Sequence, residues 1–139
     1  MGRVIGIDPG QRRIGLAVGD EETGMAFPRP PLAAGARAPE VIRALATAEG
    51  ARQVVVGLPL NMDGSEGAQA AAARAFGAQL ASLGLEVTYS DERLTSWQAA
   101  ERLDQGGRRQ TAADAIDSAA AAIILEQYLA DQRRRPEDP

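Results

Sequence analysis

The run "QVVVG", residues 53–57, places three β-branched residues in succession with no polar alternation. Such a run fits a strand covered on both faces, and those strands belong to parallel or mixed sheets with helices on each side. An alanine-rich stretch over 68–83, stopped by Gly84, reads as the following helix, and "EVTYS", residues 86–90, alternates as a further strand. Two strands joined through one helix run parallel. The chain is thereby directed to an α/β architecture, in which ligands bind outside the carboxyl ends of the strands.

The remaining segments extend that sheet. Residues 4–8 and 14–18 read as strands joined by "PGQRR", a connection short enough for an antiparallel hairpin. A third strand falls within 25–32, and prolines at 28, 30 and 31 send its second half to a sheet edge or an exit. Residues 39–49 form a short helix with proline in its first turn and Gly50 at its end. Thr95 and Gln98 make a capping box for a helix to about residue 105. "GGRRQ" is a loop, and Thr111 with Asp114 opens a last helix to about residue 133. The middle of that helix, "SAAAAIIL", is apolar all round and predicts burial against the sheet. The order β-β-β-α-β-α-β-α-α gives one domain over 1–132 and a disordered tail over 133–139.

Absences narrow the chemistry. The 139 residues include no cysteine and no histidine, which excludes the usual zinc sites, thiol nucleophiles and histidine-based triads. All 15 basic side chains are arginine, so a Schiff-base lysine and a phosphate-loop lysine are excluded too. Catalysis must use carboxylates, hydroxyls, arginines or a hard, oxygen-bound metal. No apolar run approaches a membrane span, the N-terminus lacks a signal-peptide pattern, and a cytoplasmic location is expected. The net charge of −4 argues against a broad basic footprint for nucleic acid, but says nothing of where the arginines lie.

If the first strand lies parallel to 53–57 and 86–90, acids from three segments are expected to converge on one edge of such a sheet. Asp8 ends the first strand, Asp91 and Glu92 follow the last strand, and Asp117 lies near the start of the final helix. Each has a plainer reading: Asp8 as a turn former before Pro-Gly, Asp91 and Glu92 as a solvated pair, and Glu92 as a complement to a helix dipole. Asp117 is harder to dismiss, because the next eight residues are Ser, four Ala, two Ile and Leu. Clustered carboxylates repel one another unless a cation balances them, and Mg2+ or Mn2+ suits an oxygen-only site. Arg12, Arg13, Arg108 and Arg109 stand in predicted loops beside these acids, where they suit phosphate contacts. Ser65, in the loop of residues 60–67, is expected to cap the next helix and leave backbone N–H groups for a phosphate. That loop is expected to border the substrate groove and to be mobile before binding.

The stretches "GIDPGQRRIGLAVGD", "VVVGLPLNMDGSEG", "YSDERLTS" and "IDSAAAAIILEQYL" together resemble the YqgF/RuvX family, a branch of the ribonuclease H-like fold, over residues 6–129. The resemblance implies a mixed five-stranded sheet flanked by helices and a metal-dependent nuclease for 5′-end maturation of pre-16S rRNA. It also implies Asp8, Glu92 and Asp117 as metal-binding acids, with Asp91 and Glu66 as alternatives for the middle one. Structured RNA is the expected partner, branched DNA the runner-up, and the protein a monomer or homodimer. Two other classes compete: a non-catalytic RNA-binding assembly factor, and an ATPase with a similar "GIDxG" hairpin. Two such domains would be needed to enclose a nucleotide, and 139 residues supply one.

Overall fold

The computed structural model describes residues 2–91 and 112–134, the side chains of 112–117 and 133–134 excepted. Five strands, β1 (Arg3–Asp8), β2 (Arg13–Asp20), β3 (Ala26–Ala33), β4 (Gln53–Leu58) and β5 (Glu86–Asp91), form one sheet in the order β3-β2-β1-β4-β5. β1 pairs antiparallel with β2, and β2 with β3, whereas β1–β4 and β4–β5 are parallel. The mixed five-stranded sheet expected from the sequence is therefore present.

The helices are α1 (Ala38–Glu49), α2 (Ala68–Ser82) and α3 (Ala112–Arg134). α1 ends on Gly50, whose φ of 70° is the left-handed conformation that closes a helix C-terminus. The predicted helix at 95–105 and the Thr111 cap lie outside the described residues. β3 continues through Pro28, Pro30 and Pro31. Two features make this tolerable: β3 is an edge strand, and its pairing with β2 shifts register between Ile14 and Leu16, opposite the double proline.

Alternation along the strands divides the core in two. Ile5, Ile7, Val54 and Val56 pack with Ile42 of α1 and Leu80 of α2 on one face. Val4, Ala17 and Val55 pack with Ala121, Ala122, Ile124, Leu125 and Leu129 of α3 on the other. The apolar middle of the last helix is thus buried against the sheet, as its composition predicts. A third contact ties the edge strand to this helix, where the buried Ser118 hydroxyl donates to the Arg29 carbonyl at 2.6 Å.

Candidate active site at the carboxyl edge of the sheet

The parallel registers bring the carboxyl ends of β1, β4 and β5 to one edge. Ile7 lies beside Val56, Val56 beside Tyr89, and Leu58 beside Asp91. Asp8 and Asp91 therefore end strands two apart in the sheet, about 10 Å at ordinary strand spacing. They do not share a face. Asp8 is two residues from Gly6 and four from Val4, on the α3 side, and is half-buried. Val87 and Tyr89 pack on the α1–α2 side, so the same alternation puts position 91 there, with position 90 on the α3 side.

The run of α3 across β1 fixes what else reaches Asp8. A Cβ on Gly6 would stand 2.8 Å from the Ala121 carbonyl oxygen and 2.9 Å from the Leu125 Cβ, so the helix backbone lies directly on the strand. A Cβ on Gly19, which pairs with Val4, would meet Leu125 and Leu129. α3 consequently travels toward the amino end of β1 as its numbers rise, and its early turns lie over the carboxyl end. Position 117 is one turn before Ala121 on the stripe of 121 and 125, about 6 Å back along the helix axis. Asp8 is two residues beyond Gly6, about 6.6 Å along the strand. The backbone thus sets positions 8 and 117 at the same level on the same face. The side chain of Asp117, with Glu92, Arg108 and Arg109, lies outside the described residues.

The β1–β2 turn supplies cations to this edge. Gly10 is required there, because a Cβ would come within 2.3 Å of the Arg13 carbonyl oxygen. Arg12 is exposed, and its carbonyl accepts from the Ala34 amide at 2.9 Å, fastening the turn to the end of β3. Arg13 opens β2 at an odd position, like Ala17 and Gly19, and so shares the α3 side with position 8.

One reading from the sequence needs correction. Ser65 does not cap α2: the N-cap is Gly67, with no side-chain cap bond. Instead the Ser65 hydroxyl donates to Asp63 Oδ1 at 2.6 Å and accepts from Asn61 Nδ2 at 2.9 Å, while the Asn61 amide donates to the Ser65 carbonyl at 2.8 Å. The short polar side chains satisfy each other and close the loop on itself, so its hydroxyl is occupied within 61–65. Glu66, the alternative middle acid, is engaged by Arg74 of α2 through paired bonds of 2.8 and 2.7 Å. That guanidinium holds the Glu66 carboxyl below the usual carboxylate range. Arg74 also lies 5.0 Å from the centre of the Tyr89 ring. The ring fits against α2 only because residue 77 is glycine, where a Cβ would stand 2.2 Å from the phenol oxygen.

On the α2 side of the same edge is a cleft of about 350 Å3. Gly10 and Gln11 of the turn, Gly35, Pro59, and Gln69 and Phe76 of α2 are among its walls. Among the described residues, no charged side chain lines it. The described residues contain no group of three or more acids placed to hold a metal, since two of the three expected ligands fall outside them. No helix among them is long and apolar enough to cross a membrane.

A mixed five-stranded sheet in the order β3-β2-β1-β4-β5 with helices on its faces is a ribonuclease H-like fold, and comparison with solved structures agrees. RuvC of T. thermophilus in complex with Holliday junction substrate superposes with a TM-score of 0.60 at 16% identity, over 96% of this chain and 97% of that one. The large terminase nuclease from phage G20c gives a TM-score of 0.54 at 17% identity, over 86% and 80%. The chain belongs to the RuvX family, described as Holliday junction resolvase, whose sequence model matches residues 2–131. Relatives carrying the name "Putative pre-16S rRNA nuclease" include those of Opitutus terrae, 45% identical over 99% of this chain and 97% of theirs, and Chloroflexus aggregans, 44% identical over 96% of each. The Escherichia coli K12 relative of the same name is 40% identical over 92% of this chain and 96% of its own.

Proposed function

We propose that this protein is a divalent-metal-dependent nuclease that hydrolyses phosphodiester bonds in the 5′-end maturation of pre-16S rRNA, acting in the cytoplasm through a domain over residues 1–132. The observation that carries the reading is the level placement of positions 8 and 117 on one face of the carboxyl edge, created by the close approach of α3 to Gly6. Asp8, Glu92 and Asp117 are the oxygen donors that would hold Mg2+ or Mn2+, and a chain without histidine or cysteine offers hard ligands only. When bound, such an ion neutralises phosphate charge and lowers the pKa of a coordinated water. Strand alternation supports Glu92 over Asp91 as the middle acid: Asp91 falls on the α2 side, and a strand continued by one residue would return to the side of Asp8.

The arginines serve the substrate. Arg13, on the α3 side, and Arg12, on the exposed turn, orient the phosphate backbone across the edge, and Arg108 and Arg109 extend that grip ahead of α3. Branched DNA is the second reading, favoured by the family description and by the junction-bound relative in fold. A manganese- and magnesium-dependent digestion panel separates them. Cleavage of a pre-16S leader RNA in preference to a four-way DNA junction is expected. Preferential cutting of the junction would overturn the RNA assignment, and binding without cleavage in either metal would overturn the nuclease reading.

A further inference from the structure

The cleft between the β1–β2 turn and α2 has no acid among its described walls, yet Gly10 in its wall is two residues from Asp8, within about 8 Å along the chain. Its chemistry differs from that of the rim around it. Arg12 is exposed beside it, but the described walls of the cleft carry no charge and offer no cation to a phosphate. Phe76, Pro59 and Ala72 give apolar walls, and Phe76 is half-buried in its place on α2. Gln11 and Gln69, both exposed, bring amides that donate and accept at once. A neutral, flat, apolar group with hydrogen-bonding edges suits these walls, and the volume of about 350 Å3 lies within the range of small-ligand sites.

We propose that this cleft receives one unpaired nucleobase of the strand whose phosphate lies at Asp8, and that it thereby selects single-stranded over fully paired substrate. The inference rests on the nuclease reading above. Position 8 is on the α3 side of the sheet edge and the cleft on the α2 side, so a strand crossing the edge presents its phosphate to one and a base to the other. A base within a duplex is held by pairing and stacking and cannot enter; an unpaired one is free to stack on an aromatic wall.

The test uses full-length protein carrying Asp8→Asn, so that binding is read without cleavage. The probes are a single-stranded RNA and its fully paired duplex, each with 2-aminopurine placed at successive positions. Quenching at one position of the single strand, absent from the duplex, is expected. Ala72→Trp, at an exposed position of the cleft wall, should abolish that quenching and weaken single-strand binding about tenfold, with duplex affinity changed by less than about twofold. Gln69→Ala, on the helix surface, should weaken the single strand alone by a smaller factor, and it decides the matter if Ala72→Trp does not fold. Unchanged quenching in both variants, or equal losses for single strand and duplex, would overturn the base-pocket proposal while leaving the nuclease reading standing. A parent protein that binds neither RNA and, without Asp8→Asn, cleaves none would overturn both.

Discussion

On one face of the sheet Ile5, Ile7, Val54 and Val56 meet Ile42 and Leu80, branched side chains filling the space beneath two helices. On the other, Gly6 and Gly19 leave no side chain at all, and α3 comes down until its backbone and Leu125 occupy that space. The first face is filled by branched side chains. The second also buries apolar side chains, but at Gly6 the helix backbone itself approaches the strand, so a side chain added there would displace α3 along or away from β1. The second face carries position 8, and α3 brings position 117 of its backbone to the same level. If position 8 is catalytic as proposed, substitutions on the two faces should separate loss of stability from loss of cleavage.

The largest effect on stability is expected on the branched face. Ile42→Ala removes a fully buried side chain and should cost about 2–5 kcal/mol, read as a fall in denaturation midpoint. Cleavage per folded molecule should stay near wild type, because Ile42 packs on the face of the sheet opposite position 8. On the glycine face, Gly6→Ala places a Cβ against the Ala121 carbonyl, a backbone atom that cannot rotate away. A smaller stability loss of about 1–3 kcal/mol is expected there, with a disproportionate loss of cleavage as α3 shifts. If Ile42→Ala lost activity in proportion and Gly6→Ala did not, the division between the faces would be wrong.

The smallest effect belongs to a polar latch on the branched face. Glu49 at the end of α1 accepts from Arg3 of β1 and from Arg29 of β3, the latter at 2.6 Å. The Arg3 hydrogen bond, aided by the charge and hydrogen bond of Arg29, outweighs the desolvation of a mostly covered carboxyl and holds Glu49 below the usual carboxylate range. A depressed carboxylate contributes stability above its unfolded pKa, about 4.3, and loses that contribution as pH falls through the folded value. Both arginines are substantially exposed, so Glu49→Gln should cost no more than about 1 kcal/mol at neutral pH. The gap in melting temperature between wild type and variant should close as pH falls below about 4. A gap independent of pH would show that the latch acts through shape and not through charge.

Much of this was legible in the sequence because it is written locally. The β-branched run at 53–57, the glycine stops at 50 and 84 and the apolar middle of α3 each report burial or an end within a few residues. Sequence also points to Asp8, because a strand-terminal carboxylate followed by a turn is a local pattern. What it misses are partners distant in the chain. Glu49 lies 46 residues from Arg3, and nothing near either one announces the pair. Ser65 resembled a cap because a small hydroxyl residue precedes a helical run, yet Asn61 and Asp63 compete for it within the loop. Glu66 was an acid without an assigned partner until α2 brought Arg74 to it. The choice between Asp91 and Glu92 turns on strand parity, which needs the observed face of Tyr89 and not the residue types alone.

The central claim is that the acids at the carboxyl edge are held together for metal and not for the fold. Asp8→Asn tests it most directly, with manganese-dependent cleavage of a pre-16S leader RNA and the melting temperature without metal measured on the same preparation. Cleavage should be abolished while the melting temperature holds or rises, because one negative charge leaves a crowded edge. Retained cleavage, or a melting temperature that falls sharply without metal, would contradict the claim and make Asp8 a structural residue of the β1–β2 turn.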